Sequence, residues 1–556
     1  MALVHDGGNR RAAAWWRRIG GGRAAAPPLM TRRQLVRALR RLGPADLVRA
    51  LRWRVAPLIA HGGTVFCVAA GPAARRRARA LGWRVAFKAR RGDFLKALEE
   101  VAGDDLARHA SSLLARRRPH VSAARRLSGK QALMLALAGA AGVVWPPLIW
   151  QALYLIPPLL FVALTVLRLA ALLSPPRPAP CPPLDDPRLP VYTVLVPLYR
   201  ETGVLAQLIE ALSAIDYPPD KLDIKLVIER SDDGMRAALA EWALPDHFEV
   251  ITVPDIAPRT KPKALNHALA FARGDLLTIY DAEDIPAPDQ LRLAAARFAA
   301  AGDELACLQA KLAWYNTNES VFTRMIALEY AAHYDVMLPF LARIGAPLPL
   351  GGTSCHFRVR ALRRCGAWDP HNVTEDADLG LRLARAGYRT AVLPSLTLEE
   401  ACVSWRTWRD QRSRWIKGWL QTWLVHMRHP RRLPVKAHLT LQVVLGAGVF
   451  AVLLAPWCAV MLAHALLHPA APSGAFGLLL LGLALFLLTV GYGAAVTIVM
   501  VGMYRRGLMA LWPWLLFLPL YWLLMSVAAW QALAEFLWRP HHWRKTGHGL
   551  SAFTRR

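Results

Sequence analysis

Two acidic residues, Asp281 and Glu283, follow directly on the apolar run LLTIY and are separated by a single residue. Carboxylates in this spacing at the end of a strand can place oxygen ligands on a hard divalent cation, which in turn bridges a diphosphate. When such a pair stands alone, a solvated acidic turn is the commoner explanation. The motifs around the pair therefore decide its meaning.

Further polar clusters in the same region offer groups for a nucleotide. The segment KLVIERSDDG carries Glu229 and Asp232, whose carboxylates suit a base or a ribose, and TKPKALN carries Lys261 and Lys263, whose charges suit phosphate. VPLYRE precedes these segments, and GGTSCHFR, NVTEDADL and QRSRW follow them. The Arg and Trp of QRSRW suit a diphosphate and a stacked sugar. Solvated helix charges and an interfacial aromatic belt are the alternative explanations of the last two motifs.

Alternating strand and helix patterns position these clusters within a soluble block, residues 188–435. VYTVLVPLY, DIKLVIE and HFEVITVP read as strands, and LAQLIEALSAI and an Ala-rich run read as the helices between them. This alternation predicts a mostly parallel sheet covered on both faces. Ligands bind such sheets at the carboxyl ends of the strands, which is where the polar clusters stand.

The rest of the chain is strongly apolar. Of 556 residues, 54% are hydrophobic and only 19% are charged, which favours a membrane protein. Residues 132–173 are twice as long as one span and predict a hairpin, broken near a Pro-Pro pair. Residues 438–467, 475–503 and 508–538 predict further spans, five in total. Because both flanks of 508–538 are basic, a span plus an interfacial helix is the alternative there.

The charge balance points to an anionic partner. The chain has a net charge of +30, and residues 1–130 hold 29 Lys and Arg against 7 Asp and Glu. This excess favours a cytoplasmic segment facing anionic headgroups of the lipid bilayer, with solvated arginines as the alternative. No nucleic-acid-binding motif accompanies it, so we expect no nucleic acid partner. Seven cysteines without a CxxC pair argue against a disulfide framework and a zinc module.

The order of the motifs, from VPLYRE through ERSDD, TKPKALN, DAED, GGTS and TEDADL to QRSRW, resembles the family 2 glycosyltransferases, and in particular the cellulose-synthase-like membrane members. The resemblance covers about residues 188–425. It implies an α/β GT-A (Rossmann-like) catalytic domain beside an α-helical transmembrane region. It also implies a UDP-sugar donor, a glycan or lipid-linked acceptor, and Mg²⁺ or Mn²⁺ as the cofactor.

The resemblance also implies roles for individual residues. Asp376 in TED matches the catalytic base, with Glu375 beside it, and Asp281 with Glu283 matches the metal site, Glu replacing the usual second Asp. ERSDD departs from the usual paired Asp. The residues matched to nucleotide-sugar binding are Pro197, Tyr199, Glu201, Glu229, Asp232, Lys261, Lys263, Asn266 and Asp281. Those matched to the diphosphate and the acceptor are Gln411, Arg412, Arg414 and Trp415.

The N-terminal region forms a separate unit. Residues 1–30 are a basic tail, and residues 31–120 predict a small α/β domain that resembles the N-terminal domain of type II secretion ATPases. The absence of a GxxxxGK[ST] loop argues against an ATPase role. We expect a docking or membrane-facing role, for example towards a partner protein, and binding of cyclic di-GMP is the alternative. Residues 539–556 form a second basic tail.

These features lead to one main hypothesis and two alternatives. The main hypothesis is an inverting glycosyltransferase of the bacterial inner membrane, with a cytoplasmic catalytic domain, that extends a polysaccharide through β-glycosidic bonds. The first alternative is transfer of a single sugar to a lipid carrier. The second is a non-catalytic, nucleotide-responsive membrane receptor, which the presence of DxE, TED and QxxRW together disfavours.

Overall fold

A computed structural model describes residues 27–61, 63–174, 181–467, 474–540 and 551. Within these ranges the chain forms an N-terminal α/β domain, a larger α/β domain and a set of long apolar helices. Most of the predicted basic tails, 1–30 and 539–556, lies outside the described residues.

The N-terminal domain packs helices against a three-stranded sheet in the order β1-β2-β3. A capping box between Thr31 and Gln34 fixes the start of its first helix, because each side chain accepts a hydrogen bond from the other residue's backbone N–H. Strand β2 pairs antiparallel with β1 and parallel with β3. The elements are α1 (Arg32–Leu39), α2 (Pro44–Trp53), β1 (Val55–His61), β2 (Thr64–Ala70), α3 (Pro72–Ala80), β3 (Arg84–Ala89) and α4 (Arg91–Arg117).

The larger domain is built on an eight-stranded sheet in the order β6-β5-β4-β7-β10-β9-β11-β8. Strands β6, β5, β4 and β7 are parallel, as the sequence predicts, and β9 and β11 are parallel to each other. The strands are β4 (Tyr192–Leu198), β5 (Leu222–Glu229), β6 (Phe248–Val253), β7 (Leu276–Ile279), β8 (Ile285–Pro286), β9 (Leu305–Trp314), β10 (Cys355–Arg358) and β11 (Arg389–Glu399).

Strand β10 makes the sheet mixed, because it runs antiparallel to both of its neighbours, β7 and β9. The preceding GGTS turn therefore lies at the carboxyl end of β7, where the Ser354 N–H donates to the carbonyl of Ile279 at 2.8 Å. The antiparallel strand thus brings the glycine turn to the same edge of the sheet as the DAED motif.

Helices cover both faces of this sheet, and two of them carry motifs at their starts. Helix α9 begins at Lys261 of TKPKALN, and α14 begins at Glu375 of TEDADL. The helices are α7 (Leu205–Ser213), α8 (Asp233–Ala240), α9 (Lys261–Leu269), α10 (Gln290–Ala299), α11 (Val321–Ala332), α12 (Leu338–Arg343), α13 (Val359–Arg364), α14 (Glu375–Arg385) and α15 (Trp405–His426). A π-helical segment, His333–Met337, continues α11.

Among the described residues, four helices are long and apolar enough to cross a membrane: Ile149–Leu172, Val435–His464, Gly474–Arg506 and Met509–Trp538. The sequence predicted five. The missing span is α5 (Gly129–Val144), whose 16 residues reach only about 24 Å, short of a bilayer core of about 30 Å. Helix α6 (Pro146–Leu172) follows after a break at Trp145, and it carries the Pro157-Pro158 pair in its interior.

The C-terminal apolar helices are interrupted by π-helical and 3₁₀ segments, and the last of them lies against the larger domain. The Trp408 indole N–H of α15 donates to the Tyr521 hydroxyl at 3.1 Å, and Lys417 pairs with Glu535 at 2.9 Å. The last helix therefore runs alongside α15. The helices are α16 (Val435–Thr440), α17 (Gly448–Leu467), α18 (Gly474–Phe486), α19 (Tyr492–Arg506) and α20 (Leu518–Trp538).

Candidate active site

The predicted site residues meet along the carboxyl edge of the sheet. Asp281 lies just beyond β7, Glu229 ends β5, and Pro197 lies near the end of β4. The loops after β4 and β5 are joined because the Arg200 N–H donates to Asp232 Oδ2 at 2.6 Å. The parallel half of the sheet thus places the VPLYRE, ERSDD and DAED motifs side by side.

Lys261, the first residue of α9, connects the acidic motif with the glycine turn. Its Nζ lies 2.5 Å from Asp281 Oδ1 and 3.1 Å from the carbonyl oxygen of Gly352. Burial by itself lowers the pKa of Lys261, but Asp281, Glu375 and Asp376 outweigh it and raise the pKa. The lysine is therefore a fixed positive charge between the acid pair and the TED motif.

The acid pair lies in a wider group of carboxylates that suits a hard cation. Asp284 is buried and accepts from the Asp281 N–H at 2.7 Å, and its Oδ1 has no hydrogen-bond partner among the described residues. Glu399, at the end of β11, also has a buried oxygen, Oε1, without such a partner. A divalent cation is one partner that satisfies such oxygens, and Asp281 and Glu283 offer the hard oxygen ligands that Mg²⁺ or Mn²⁺ takes.

Protein side chains do not form a complete ion cage here. In the ranges that the structure describes, no three His, Cys, Asp or Glu side chains are arranged to hold a metal ion. Mg²⁺ usually takes one or two carboxylates and completes its coordination with water and substrate phosphates. Asp281 and Glu283 are compatible with that arrangement.

On the nucleotide side, Glu229 pairs with Lys263. The Nζ of Lys263 is fully buried and donates to Glu229 Oε2 at 3.0 Å and to the carbonyl of Pro254 at 3.1 Å. Burial raises the pKa of Glu229. In the structure Lys263 holds Glu229, and its contact with phosphate stays a prediction.

Two other predicted nucleotide ligands are occupied by backbone contacts. Asp232 caps α8 by accepting from the Met235 N–H at 3.2 Å, in addition to its bond from Arg200. The amide nitrogen of Asn266 donates to the carbonyls of Ala110 and Trp368, and its oxygen accepts from the Trp368 N–H. Asn266 thus joins α9 to α4 of the N-terminal domain, and its role as a sugar-nucleotide ligand stays a prediction.

The VPLYRE loop keeps its shape through local hydrogen bonds. The Tyr199 N–H donates to Glu201 Oε2 at 3.2 Å, and the Arg200 guanidinium stacks 5.1 Å from the Tyr199 ring. Arg200 adopts a left-handed φ of 55°, which its hydrogen bond to Asp232 holds in place. The loop therefore lies at the site edge in one defined conformation.

The predicted base, Asp376, is held at the start of α14. Its Oδ1 accepts from the Ala377 N–H at 2.8 Å. Burial raises the pKa of Asp376 to about 6, while the Ala377 N–H and Lys261 act in the opposite direction. Burial and the neighbouring Asp376 raise the pKa of Glu375 to about 8. A carboxylate with a pKa near neutrality is suited to accept a proton.

Gly352 sets the distance between Asp376 and the acid pair. It has a φ of 84°, and a Cβ at this position would lie 2.7 Å from Asp376 Oδ2. The carbonyl of Gly352 also accepts a hydrogen bond from Lys261, which contacts Asp281. The backbone of this one glycine therefore lies between Asp376 and the acid pair. A side chain here would push Asp376 away.

Helix α15 carries the QRSRW motif against the TED loop. Gly418 allows this approach, because a Cβ there would lie 2.4 Å from the Thr374 side chain. The Val373 N–H donates to Gln421 at 3.1 Å, and Asn372 donates to Thr422 at 2.9 Å. The position of the base is thus set by α15.

The residues of QRSRW are placed differently from one another. Arg414 is half-buried, and its charge lowers the pKa of both Glu375 and Asp376, so it lies near the base. Gln411 is buried, and its Oε1 has no hydrogen-bond partner among the described residues. Arg412 is buried in an ion pair with Glu329 at 2.9 Å, and its contact with the diphosphate or the acceptor stays a prediction.

A cavity of about 180 Å³ begins at Asp376 and lies between the larger domain and the apolar helices. Arg412 and Trp415 form part of its wall, and the Arg412 guanidinium stacks 4.3 Å from the Trp415 ring. One side is polar and aromatic, and it is formed by Glu329, Tyr330, His333 and Tyr334. The other side is apolar, and α17 and α20 contribute Gly448, Val449, Val452 and Met525.

Sequence reasoning missed the α11 side of this cavity. Glu329, Tyr330, His333 and Tyr334 follow the spacing i, i+1, i+4, i+5, which places them on one helical face. Polar and aromatic groups concentrated on one face of an otherwise apolar helix were the available signal. Glu399 carried no such signal, because it approaches the acid pair from a separate strand, β11.

The mixed sheet, the acids at the end of its central strand and the adjoining carboxylate on α14 define a GT-A glycosyltransferase domain. Residues 187–418 match the sequence profile described as "Glycosyltransferase like family 2". Residues 187–418 are thus similar to this family of glycosyltransferases.

Curated relatives agree with this assignment. The chain is 29% identical over 241 residues to the probable glycosyltransferase YdaM of Bacillus subtilis, covering 41% of the chain and 55% of that protein. It is 25% identical to the probable glucomannan 4-beta-mannosyltransferase 1 of Arabidopsis thaliana, covering 41% and 43%. It is 26% identical to the beta-monoglucosyldiacylglycerol synthase of Trichormus variabilis, covering 53% and 62%. The chain thus spans about half the length of the curated relatives that it matches.

Proposed function

We propose that the protein transfers a sugar from a UDP-sugar to a growing polysaccharide at the bacterial inner membrane, with the catalytic domain on the cytoplasmic side. One observation carries the proposal. Lys261 contacts both Asp281 and the Gly352 turn that faces Asp376, so the diphosphate site and the base adjoin. The cavity that begins at Asp376 leads to the apolar helices, which supports an acceptor arriving from the membrane side.

The chain's own residues account for the transfer step. Asp376 takes the proton from the acceptor hydroxyl while that oxygen attacks the anomeric carbon of the donor sugar. The bond from the anomeric carbon to the diphosphate breaks in the same displacement, which inverts the configuration and gives a β-glycoside from an α-linked donor. A Mg²⁺ or Mn²⁺ ion held by Asp281 and Glu283 would stabilise charge on the leaving diphosphate.

Lys261 and Arg414 supply positive charge near Asp376. Their charges lower the pKa of Asp376 and oppose the effect of burial, so they favour its ionised, proton-accepting form. Trp415 offers a flat aromatic face inside the cavity, and such faces suit sugar rings. We assign the cavity to the acceptor for these reasons.

Transfer of a single sugar to a lipid is the second candidate. It is favoured by the apolar side of the cavity, where Val449, Val452 and Met525 come from membrane helices. A lipid acceptor places its hydroxyl at Asp376 and keeps its hydrocarbon against such residues. The name of the Trichormus relative, a glucosyldiacylglycerol synthase, is in line with this candidate.

One experiment separates these possibilities. Membranes containing the protein receive radiolabelled UDP-sugars one at a time, and the product is extracted and sized by gel filtration. A long, water-soluble polymer supports the first proposal, and an organic-soluble product supports the second. If no donor gives incorporation above the level of Asp376→Asn membranes, the protein is not the transferase proposed here.

We also propose that the N-terminal domain, residues 31–120, is a docking unit for the catalytic domain. The contacts of Asn266 with Ala110 support this role. A partner protein or cyclic di-GMP would then act on the enzyme through this domain.

A further inference from the structure

Helix α4 of the N-terminal domain covers the free edge of the catalytic sheet. Strand β6 is the outermost strand, and the N–H of Thr252 near its end donates to Glu99 Oε1 at 2.8 Å. An edge strand exposes unpaired backbone groups, so the carboxylate satisfies a donor that the sheet leaves open. Glu99 therefore acts as a cap on the edge strand.

The same end of β6 adjoins the predicted nucleotide site. Val253 is paired in register with Glu229 of β5, and the next residue, Pro254, accepts a hydrogen bond from Lys263 at 3.1 Å. Lys263 in turn holds Glu229 at 3.0 Å. A displacement of Pro254 at the end of β6 would therefore change the position of Lys263, and through it the position of Glu229.

Helix α4 touches this end at a second point. A Cβ on Gly103 would lie 3.7 Å from the Pro254 ring, so the helix backbone is in close contact with the proline. Farther along α4, the Ala110 carbonyl accepts from Asn266 of α9, the helix that carries Lys261 and Lys263. Helix α4 therefore contacts both the end of β6 and α9, the helix that carries the two lysines.

A buried charge network fixes the N-terminal domain on this sheet. Arg54 pairs with Glu249 of β6 at 2.5 Å, and Lys225 of β5 pairs with Glu249 and with Asp223. All four side chains are buried. Movement of α4 relative to the sheet would separate charges that have no access to water, which favours a rigid junction.

We propose that α4 is a positioning element of the donor site, with Glu99 as its central positioning residue, so that the N-terminal domain sets the affinity for the donor nucleotide. The inference rests on the proposed function, because it takes Glu229 as a nucleotide contact. Glu99 does not touch the substrate. It acts through Thr252, Pro254 and Lys263.

The test measures binding of UDP with Mn²⁺ to the full-length protein by titration calorimetry, together with donor KM and kcat. Glu99→Ala removes the acceptor for Thr252, and we expect it to raise the Kd for UDP and the donor KM about three- to tenfold, the effect of one lost hydrogen bond. Glu99→Gln keeps an acceptor oxygen and restores binding. The matched control is Glu100→Ala, whose carboxylate pairs with Arg32 inside the N-terminal domain.

Gly103→Leu provides a second variant in case Glu99→Ala does not fold, because its Cβ would already be in van der Waals contact with the Pro254 ring and the rest of its side chain adds bulk at this contact. We expect it also to weaken UDP binding. The inference is overturned if Glu99→Ala and Gly103→Leu both bind UDP with the same Kd as Glu100→Ala. It is also overturned if kcat and thermal stability fall while the Kd for UDP is unchanged. Absence of UDP binding by the wild-type protein would overturn the proposed function instead.

Discussion

The ammonium of Lys261 lies 2.5 Å from Oδ1 of Asp281, so a lysine is already bound to the first residue of the predicted metal pair. The lysine keeps this contact while it also donates to Gly352. Positive charge from the protein and positive charge from a divalent cation therefore compete for the same carboxylate. A substitution of Lys261 therefore separates the contribution of the lysine charge from that of the divalent cation.

Replacement of Lys261 by Met is expected to strengthen metal binding and weaken transfer. Without the ammonium, Asp281 is free for the cation, and we expect the Kd for Mn²⁺ in the absence of nucleotide to fall by a factor on the order of 10. Transfer falls because a fixed charge beside the diphosphate is lost. Electron paramagnetic resonance titration of Mn²⁺ measures the first effect, with Lys96→Met as the exposed control. Unchanged or weaker Mn²⁺ binding contradicts the competition.

Asp376→Asn is expected to abolish transfer without harming the fold. Loss of the base reduces kcat by about 100-fold or more, while UDP affinity stays within about twofold. Because burial raises the pKa of Asp376 to about 6, its ionised form costs folding free energy above that pH, and the cost disappears as pH falls towards the ordinary value of 3.8. The variant should thus melt at a higher temperature than wild type at pH 8, but not at pH 4. A lower melting temperature at pH 8 contradicts this account of Asp376.

The same pKa predicts the pH dependence of the reaction. A general base must be ionised, so kcat/KM for the donor, which reports the ionisation of the free enzyme, should rise with pH, with a midpoint near the Asp376 pKa of about 6, and then level off. Product formation measured from pH 5 to pH 8 at donor concentrations well below KM gives this profile. A rate that is flat across this range would show that Asp376 does not take the proton in the rate-limiting step.

Gly352→Ala tests the spacing between the two halves of the site. The alanine costs about 1–2 kcal/mol for its left-handed φ, and its Cβ would stand 2.7 Å from Asp376 Oδ2. We expect transfer to fall at least about tenfold, while UDP affinity changes little. Gly82→Ala is the matched control, because Gly82 has a φ of 72° but nothing within 4 Å of its Cβ position. If both variants lose the same activity, the contact with Asp376 is unimportant.

The sequence was a good guide to elements whose signals are local. Strand and helix alternation predicted β4 to β7, and the acids at strand ends predicted that Asp281 and Glu229 share one edge of the sheet. These features depend on the hydrophobic periodicity within each segment and on the general rule that parallel strands end at the same edge of a sheet.

Contacts between distant segments could not be predicted in this way. Lys263 and Asn266 stand in the expected motif, but their contacts with Glu229, Pro254, Ala110 and Trp368 do not follow from that motif. A motif fixes the residue type, while the partner depends on which helix packs against it. The same reason explains why the α11 wall of the cavity was missed.

The buried pair of Arg412 and Glu329 should respond asymmetrically to mutation. Arg412 has only 3% of its side chain exposed and Glu329 has 36%, so the loss of each leaves a different charge behind. Glu329→Gln strands a buried guanidinium and should cost about 3–5 kcal/mol of unfolding free energy. Arg412→Met leaves a carboxylate that reaches water and still accepts from Tyr521 at 2.7 Å, so it should cost about 1–3 kcal/mol. Thermal and denaturant unfolding of both single variants and the double variant measures the pair. Two results would contradict this account of the ion pair. One is an equal loss of unfolding free energy in the two single variants, and the other is a loss in the double variant that equals the sum of the two single losses.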